Sequence, residues 1–229
     1  MRVCFGVISI GQLYTKEFEE LFKPSLVEYT TKYGYDLKVF TEPLDPGQKH
    51  PDTISFQKCL VPGMLSDYDW VVVLDADVYI EKDAPPILDL FVSLGDKVGI
   101  VDEICDCLDK PSEYYKKAGF DLETKFALNT GMLICSPSKH MVLLKGVYDK
   151  YISKCVGHPL KFHYEQACVG FELQKQNMFT LVPASWNFIH LHTSSEIPCY
   201  FRHLAGVRKN KKTVLAVHLA KSLGGRRVN

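Results

Sequence analysis

Trp70-Val71-Val72-Val73-Leu74-Asp75-Ala76-Asp77-Val78-Tyr79-Ile80 is the stretch from which the fold follows. An unbroken apolar run of this length predicts a strand buried on both faces, the kind found in a parallel sheet. It runs straight into two carboxylates, and desolvating a charge is costly unless an opposite charge sits beside it. At the carboxyl end of a central strand, where ligands bind in open α/β sheets, that partner is often a divalent cation. Residues i and i+2 share a face of a strand, so Asp75 and Asp77 can address one ion or one bound nucleotide. The plainer reading is an acidic surface turn.

Upstream, residues 2–10 form an apolar run that predicts a first strand, ended by Gly11. Phe18, Leu21, Phe22, Leu26, Tyr29 and Tyr33 recur at helical spacing, and Pro24 inside this stretch predicts a kink or a break into two helices. Gly34 reads as the helix C-cap and residues 35–41 as a second strand. A βαβ start of this kind opens a nucleotide-binding half-sheet. Neither a Gly-x-Gly-x-x-Gly loop nor a Walker lysine loop follows, which disfavours a standard dinucleotide fold. Residues 53–65 look helical, with Ile54, Cys59 and Leu60 placed for burial and Lys58 on another face.

Downstream, residues 81–86 read as a turn, 87–94 as a short helix, 98–101 as a buried strand and 102–123 as a polar loop carrying a short helix. Residues 126–137 form a strand interrupted by Asn129-Thr130-Gly131, which suggests close approach of a ligand or another backbone; the alternative is a β-bulge. Ser138 is expected to cap a helix running to Tyr151. Residues 162–174 predict a second helix with Glu165 and Gln166 in its first turn, and 178–182 a strand. Trp186 and Asn187 open a segment rich in aromatics and histidines, including His190, His192, Tyr200, Phe201 and His203. His190 and His192 alternate on one strand face and offer a minor metal-site alternative. The basic run 208–212 reads as a solvated face, 213–218 as a last strand ending in His218, and Gly224 onward as a tail or linker.

The chain has 229 residues, 46% hydrophobic and 24% charged, enough to bury a full core. A formal net charge of +0 gives no reason to expect nucleic acid as the partner. No signal-peptide pattern and no long apolar span is present, so a soluble cytoplasmic protein is expected. The eight cysteines are scattered, several inside apolar runs, which suits reduced buried thiols. Cys105-Asp106-Cys107 is too tightly spaced for a zinc knuckle.

Four features occur in one order: a strand ending in Asp-x-Asp, a strand with Asn-Thr-Gly, a helix with Glu-Gln, and a late His with Lys three residues on. That order resembles the metal-dependent nucleotide-sugar glycosyltransferases of the GT-A fold. The likeness is nearest to the glycogenin-like and lipopolysaccharide galactosyltransferase group, family eight, with the galactosyl- and xylosyltransferases of family thirty-four close by. It spans Val3 to Lys221, and its most specific part is Phe56-Gln57-Lys58 through Asp67-Tyr68-Asp69 to Asp77. The overall look is also similar to the free-standing glycosyltransferase domains of large algal DNA viruses, which would place the protein in a host cytoplasm.

The resemblance implies one α/β GT-A domain over residues 1–223, with a mixed, mostly parallel central sheet flanked by helices. Its nucleotide-binding half would cover about 1–101 and its acceptor-side half about 102–223, leaving 224–229 as tail or linker. Asp75, Asp77 and His218 would bind the metal, Mn²⁺ or Mg²⁺, the imidazole favouring Mn²⁺. Ile8, Ser9 and Tyr14 would hold uracil and ribose, and Asp75 and Ala76 would also meet the donor. Lys58, Asn129, Thr130 and Gly131 would lie on its phosphate and sugar side, and Lys221 on its diphosphate. Glu165 and Gln166 would be catalytic. Here the chain departs from the family, which has Asp before Gln, and the longer arm leaves open whether the carboxylate meets sugar hydroxyls or the anomeric centre. Trp186 and Asn187 would line the acceptor side.

The expected reaction is transfer from a UDP-sugar to a glycan or glycoprotein acceptor, with retention of configuration. Two rivals stand beside it. The string Val72 to Asp77 also resembles the first motif of haloacid-dehalogenase-type phosphatases, and a sugar-nucleotide or glycan-binding module without turnover would carry the same residues.

Overall fold

The computed structural model describes residues 1–103, 110–161, 163–189, 198–205 and 211–216. The first strand, β1 (Val3–Ile8), is followed by α1 (Gln12–Glu17), a π-helical turn at Phe18–Phe22 and α2 (Lys23–Tyr33). The expected break falls here: Pro24 sits in the first turn of α2, where its missing N–H has no helical partner to lose. Gly34 ends α2 in the left-handed region, φ 69°, a conformation that glycine adopts without a Cβ penalty. β2 (Asp36–Phe40) leads through a loop to α3 (Pro51–Ile54), a 3₁₀ stretch Ser55–Leu60 and α4 (Val61–Met64), so the single helix expected over 53–65 is three short pieces.

The central strand β3 (Trp70–Leu74) gives way to β4 (Val78–Ile80), α5 (Leu88–Leu94) and β5 (Val98–Asp102). After these come α6 (Pro111–Lys117), β6 (Leu128–Cys135), α7 (Pro137–Tyr151) and α8 (His163–Lys175). Ser136, not Ser138, stands at the N-cap of α7; Pro137 starts the helix two residues earlier than expected because its φ already suits the first helical position. The chain ends with β7 (Phe179–Leu181), a 3₁₀ turn Ala184–Asn187, β8 (Phe188–Ile189) and β9 (Phe201–His203).

Among the described residues the main sheet has the order β2-β1-β3-β6-β5-β7. β1 is parallel to β2 and β3, and β5 to β7, while β6 is antiparallel to both β3 and β5. The result is a mixed, mostly parallel sheet with β6 alone reversed. Period-two alternation divides the core. Val71 and Val73 face the side covered by α7 and α8, and Val72 and Leu74 the side covered by α2 and α5. All three valines are 0–1% exposed, and each such burial contributes about 1.5–3 kcal/mol.

The acidic pair lies where the two sheets part. β3 ends at Leu74, and β4 leaves for a smaller sheet of order β4-β9-β8. β4 and β9 pair antiparallel with Val78 opposite His203, and Leu204 N–H donates to Asp77 O at 3.0 Å. This register carries His203 to the residue beside Asp77. Residues 211–216 are helical, which corrects the strand expected at 213–218. A short apolar run reads equally as buried helix or strand, and here Leu215 packs into the core from a helix. The expected His218 and Lys221, like His190 and His192, lie outside the described residues.

Candidate functional site

β1 and β3 are neighbours with β2 on the outer side of β1, so the crevice at their carboxyl ends is the ligand position of an open α/β sheet. Val7 pairs with Leu74, which brings Ile8 and Ser9 alongside Asp75. Ser9 is buried; its N–H donates to Phe40 O at 2.9 Å and its carbonyl accepts from Thr15 Oγ1 at 2.8 Å. Its own Oγ has no partner among the described residues. Ile8 and Ala76 are half-buried, while Tyr14 on α1 stands exposed.

Asp75, Asp77 and His203 each offer one ligand atom, and the three atoms lie within 4.8 Å of one another. His203 Nε2 is 3.6 Å from Asp75 Oδ2 and 3.3 Å from Asp77 Oδ1. The imidazole is 4% exposed and the carboxylates 32% and 22%, so the ring forms the floor and the acids face the opening. Two hard oxygens and one borderline nitrogen form a donor set that could hold a divalent cation. Nothing near His203 in the sequence marks it as a ligand; only the β4–β9 register reveals it.

Cations flank the pair on both sides. Lys58 is buried at 5% and its Nζ donates to Asp75 Oδ1 at 2.6 Å and to Thr130 O at 3.2 Å. Lys211, from the basic run read as a solvated face, is 11% exposed and donates to Asp77 Oδ2 at 3.1 Å while pairing with Glu17 Oε2 at 3.2 Å. Burial pushes the Asp77 carboxyl up, but the His203 and Lys211 charges together outweigh it and hold the group well below the usual carboxylate range. Burial likewise pushes the His203 imidazole down, and Asp77 and Asp75 more than reverse that.

Behind the pair lies a polar network. Glu165, in the first turn of α8, is 1% exposed; its Oε2 accepts from Thr130 Oγ1 at 3.1 Å and lies 3.4 Å from Lys58 Nζ. Burial raises its carboxyl, and the nearby Lys58 charge only partly opposes this. Asn129 Nδ2 donates to Gln166 Oε1 at 3.1 Å and to Glu103 Oε2 at 3.0 Å. Gln166 Nε2 donates to the same Glu103 oxygen at 2.8 Å, and Asn187 Nδ2 donates to Asn129 Oδ1 at 2.7 Å. Glu103 opens a polar segment without pattern, so nothing in the sequence marks it.

Of the residues expected at the site, Asp75, Asp77, Lys58, Asn129, Thr130, Gly131, Glu165, Gln166 and Asn187 come together. Lys58 is an interior counter-ion of Asp75. Trp186 is 4% exposed with its ring edge-on to Phe201, so the structure places it in the core and not on an open acceptor face. At the Asn-Thr-Gly interruption the β5–β6 register shifts, as the β-bulge alternative expects, and what approaches Gly131 closely is a side chain, the His203 ring.

No family profile and no curated protein sequence matches the chain. Solved structures do. One is a glycosyltransferase involved in glycosylating the major capsid of PBCV-1, with TM-score 0.64 and 16% identity over 93% of this chain and 99% of that one. The fold is that of GT-A glycosyltransferases. A second match is the galactosyltransferase LgtC in complex with donor and acceptor sugar analogues, with TM-score 0.58 and 12% identity over 100% of this chain and 97% of that one. An active-site mutant of LgtC matches over 95% and 96% of the two chains, also at TM-score 0.58 and 12% identity. Among the described residues, no helix is long and apolar enough to cross a membrane.

Proposed function

We propose that this protein transfers a sugar from a UDP-sugar to a hydroxyl of a glycan or glycoprotein, with a divalent cation, Mn²⁺ in preference to Mg²⁺, and with retention of configuration. The observation that carries this reading is the convergence of Asp75, Asp77 and His203 at the carboxyl end of the central strand of a GT-A fold. These three residues would hold the cation; His218, the imidazole expected from the sequence, lies outside the described residues. When bound, such an ion offsets the negative charge that builds on the leaving phosphate oxygen.

The chain's own residues divide the rest of the work. Ile8, Ser9 and Tyr14 hold the nucleoside at the end of β1, and Lys221 adds positive charge to the diphosphate. Asn129, Thr130, Glu165 and Gln166 present amide and carboxyl groups to the sugar, their positions fixed by Glu103, Lys58 and Asn187. Asn187, expected on the acceptor side, is fully buried and reaches the site through Asn129.

The partners of the carboxylates around the site support retention. Glu165 faces Lys58 and Thr130, Glu103 faces Asn129 and Gln166, and Glu17 faces Lys211. None of these three is placed as a separate base for the acceptor hydroxyl. The acceptor oxygen then bonds to the anomeric carbon as the bond to phosphate breaks. The electron pair leaves with the phosphate oxygen, and that oxygen takes the acceptor's proton.

The test is a panel of nucleotide sugars with Mn²⁺, read by thermal shift and by product analysis. A UDP-sugar with Mn²⁺ should raise the melting temperature, since ligand binding stabilises the folded form. Asp77→Ala should abolish the Mn²⁺-dependent part. Binding without turnover toward any acceptor or water would make the protein a binding module. Release of phosphate from an aryl phosphate, with no response to any UDP-sugar, would replace the transferase reading with the phosphatase one.

A further inference from the structure

We infer that Gly131 is a positioning residue for the cation site: the space left by its missing side chain seats the His203 imidazole, and that seat aims Nε2 at Asp75 and Asp77. This role rests on the proposed use of those three residues as cation ligands.

Gly131 lies in the shifted stretch of β6, between Leu133 opposite Ile100 and Asn129 opposite Val101. Its backbone is pinned at both ends. The N–H donates to Asn129 Oδ1 at 2.8 Å, and the carbonyl accepts from Asp75 N–H at 2.9 Å. A Cβ on this residue would fall well under 3.0 Å from both Cε1 and Nδ1 of His203, closer than real Cβ atoms come to other atoms, and 2.9 Å from Asn129 Oδ1. The φ of Gly131 is not positive, so the requirement for glycine here is one of space and not of backbone conformation.

His203 cannot easily yield either. It is paired with Val78 across β4–β9, the next N–H is held by Asp77 O, and the side chain is 4% exposed. A histidine that binds metal ordinarily donates its other ring N–H to a carboxylate or carbonyl, which fixes the ring. His203 Nδ1 has no partner among the described residues. On the Nδ1 side its orientation therefore comes from shape, and the close approach of Cε1 and Nδ1 to Gly131 supplies that shape. Asp75 N–H binds the Gly131 carbonyl, so the same residue sets one carboxylate and the imidazole relative to each other.

The test compares Gly131→Ala, His203→Ala and the double variant. Mn²⁺ affinity is read without nucleotide from the loss of the free-ion electron paramagnetic resonance signal. Unfolding is measured separately without metal. Gly131→Ala should bind Mn²⁺ about 10- to 100-fold more weakly, the usual effect of disturbing a group that orients a ligand. It should match His203→Ala, and the double variant should be no weaker than either. In the metal-free melts the double variant should be more stable than the sum of the two single losses predicts, because removing the ring makes room for the new methyl group.

Wild-type Mn²⁺ affinity in Gly131→Ala, or losses that add in the double variant, would overturn the role. If Gly131→Ala does not fold, folding of the double variant supports the seat and its failure overturns it. If the wild-type protein binds no Mn²⁺, the cation reading falls by itself. The metal-free melts still decide between coupling, which keeps Gly131 as the seat of His203, and additivity, which removes it.

Discussion

Lys58 Nζ lies 2.6 Å from Asp75 Oδ1 with the lysine side chain 6% exposed, so the first acid of the pair is tied to an interior cation. The same ammonium lies 3.4 Å from Glu165 Oε2, whose side chain is 2% exposed. Burial pushes the lysine down, but the two carboxylates outweigh this and hold it above its ordinary range. Lys58 is thus the charge that lets two acids share one buried wall.

Replacing it by an apolar side chain of similar length leaves those acids without compensation. Lys58→Met is expected to destabilise the fold by about 3 kcal/mol, the lower end of the range for breaking a buried pair, because Asp75 keeps some contact with solvent. Adding Glu165→Gln should recover part of that loss, since it removes the more deeply buried of the stranded charges. Urea unfolding of the two variants and the wild type checks both statements. A loss under about 1 kcal/mol, within the range of exposed pairs, would mean that Lys58 is not the counter-ion described.

The Glu165 carboxyl gives a pH signature. Burial pushes it up to about 7 from an ordinary 4.5, and Lys58 does not restore it. Between those values the folded chain holds a proton that the unfolded chain has lost, so stability falls as pH rises. The contribution is present in full below the ordinary value and is gone above the raised one. Asp77 acts with opposite sign. Held below its ordinary 3.8, it contributes stability above that value and loses it as pH falls further, on the acid side of the Glu165 window. Glu165→Gln should flatten the slope of unfolding free energy between about pH 5 and about pH 7. Urea midpoints across that range give the slope, and a variant as steep as the wild type would assign it to another group.

What could be read in the sequence depended on whether the signal was local. Trp70 to Leu74 announces a buried strand by composition alone, and two acids at its end announce a ligand, so β3 and Asp75–Asp77 were legible. Pro24 and Gly34 marked real boundaries because each acts through its own backbone. His203 was not legible as a ligand. It sits on a three-residue strand, too short for a period, and it meets Asp77 only because β9 pairs with β4. Residues 213–216 carry an apolar run that suits either helix or strand, and packing of Leu215 from a helix decided it. Lys211 looked like one solvated lysine among several, since its partners Glu17 and Asp77 are far away in sequence.

Lys211 yields the last prediction. Its ammonium sits 3.1 Å from Asp77 Oδ2 and 3.2 Å from Glu17 Oε2, and burial is outweighed by these acids so that it stays charged. A positive group on Asp77 opposes a second cation on the same carboxylate. Like charges a few ångströms apart still repel appreciably in a partly buried site, where the effective dielectric is well below that of water. Lys211→Gln removes that opposition while keeping a polar side chain for Glu17. Mn²⁺ should then bind the nucleotide-free protein about threefold to tenfold more tightly, a change under about 1.4 kcal/mol. The affinity should also fall more steeply with added salt, because the repulsion that screening relieved has gone while the attraction of the acids remains. Titration calorimetry at two ionic strengths measures both. Unchanged or weaker Mn²⁺ binding in the variant would show that Lys211 supports the Asp77 geometry more than it competes for its charge.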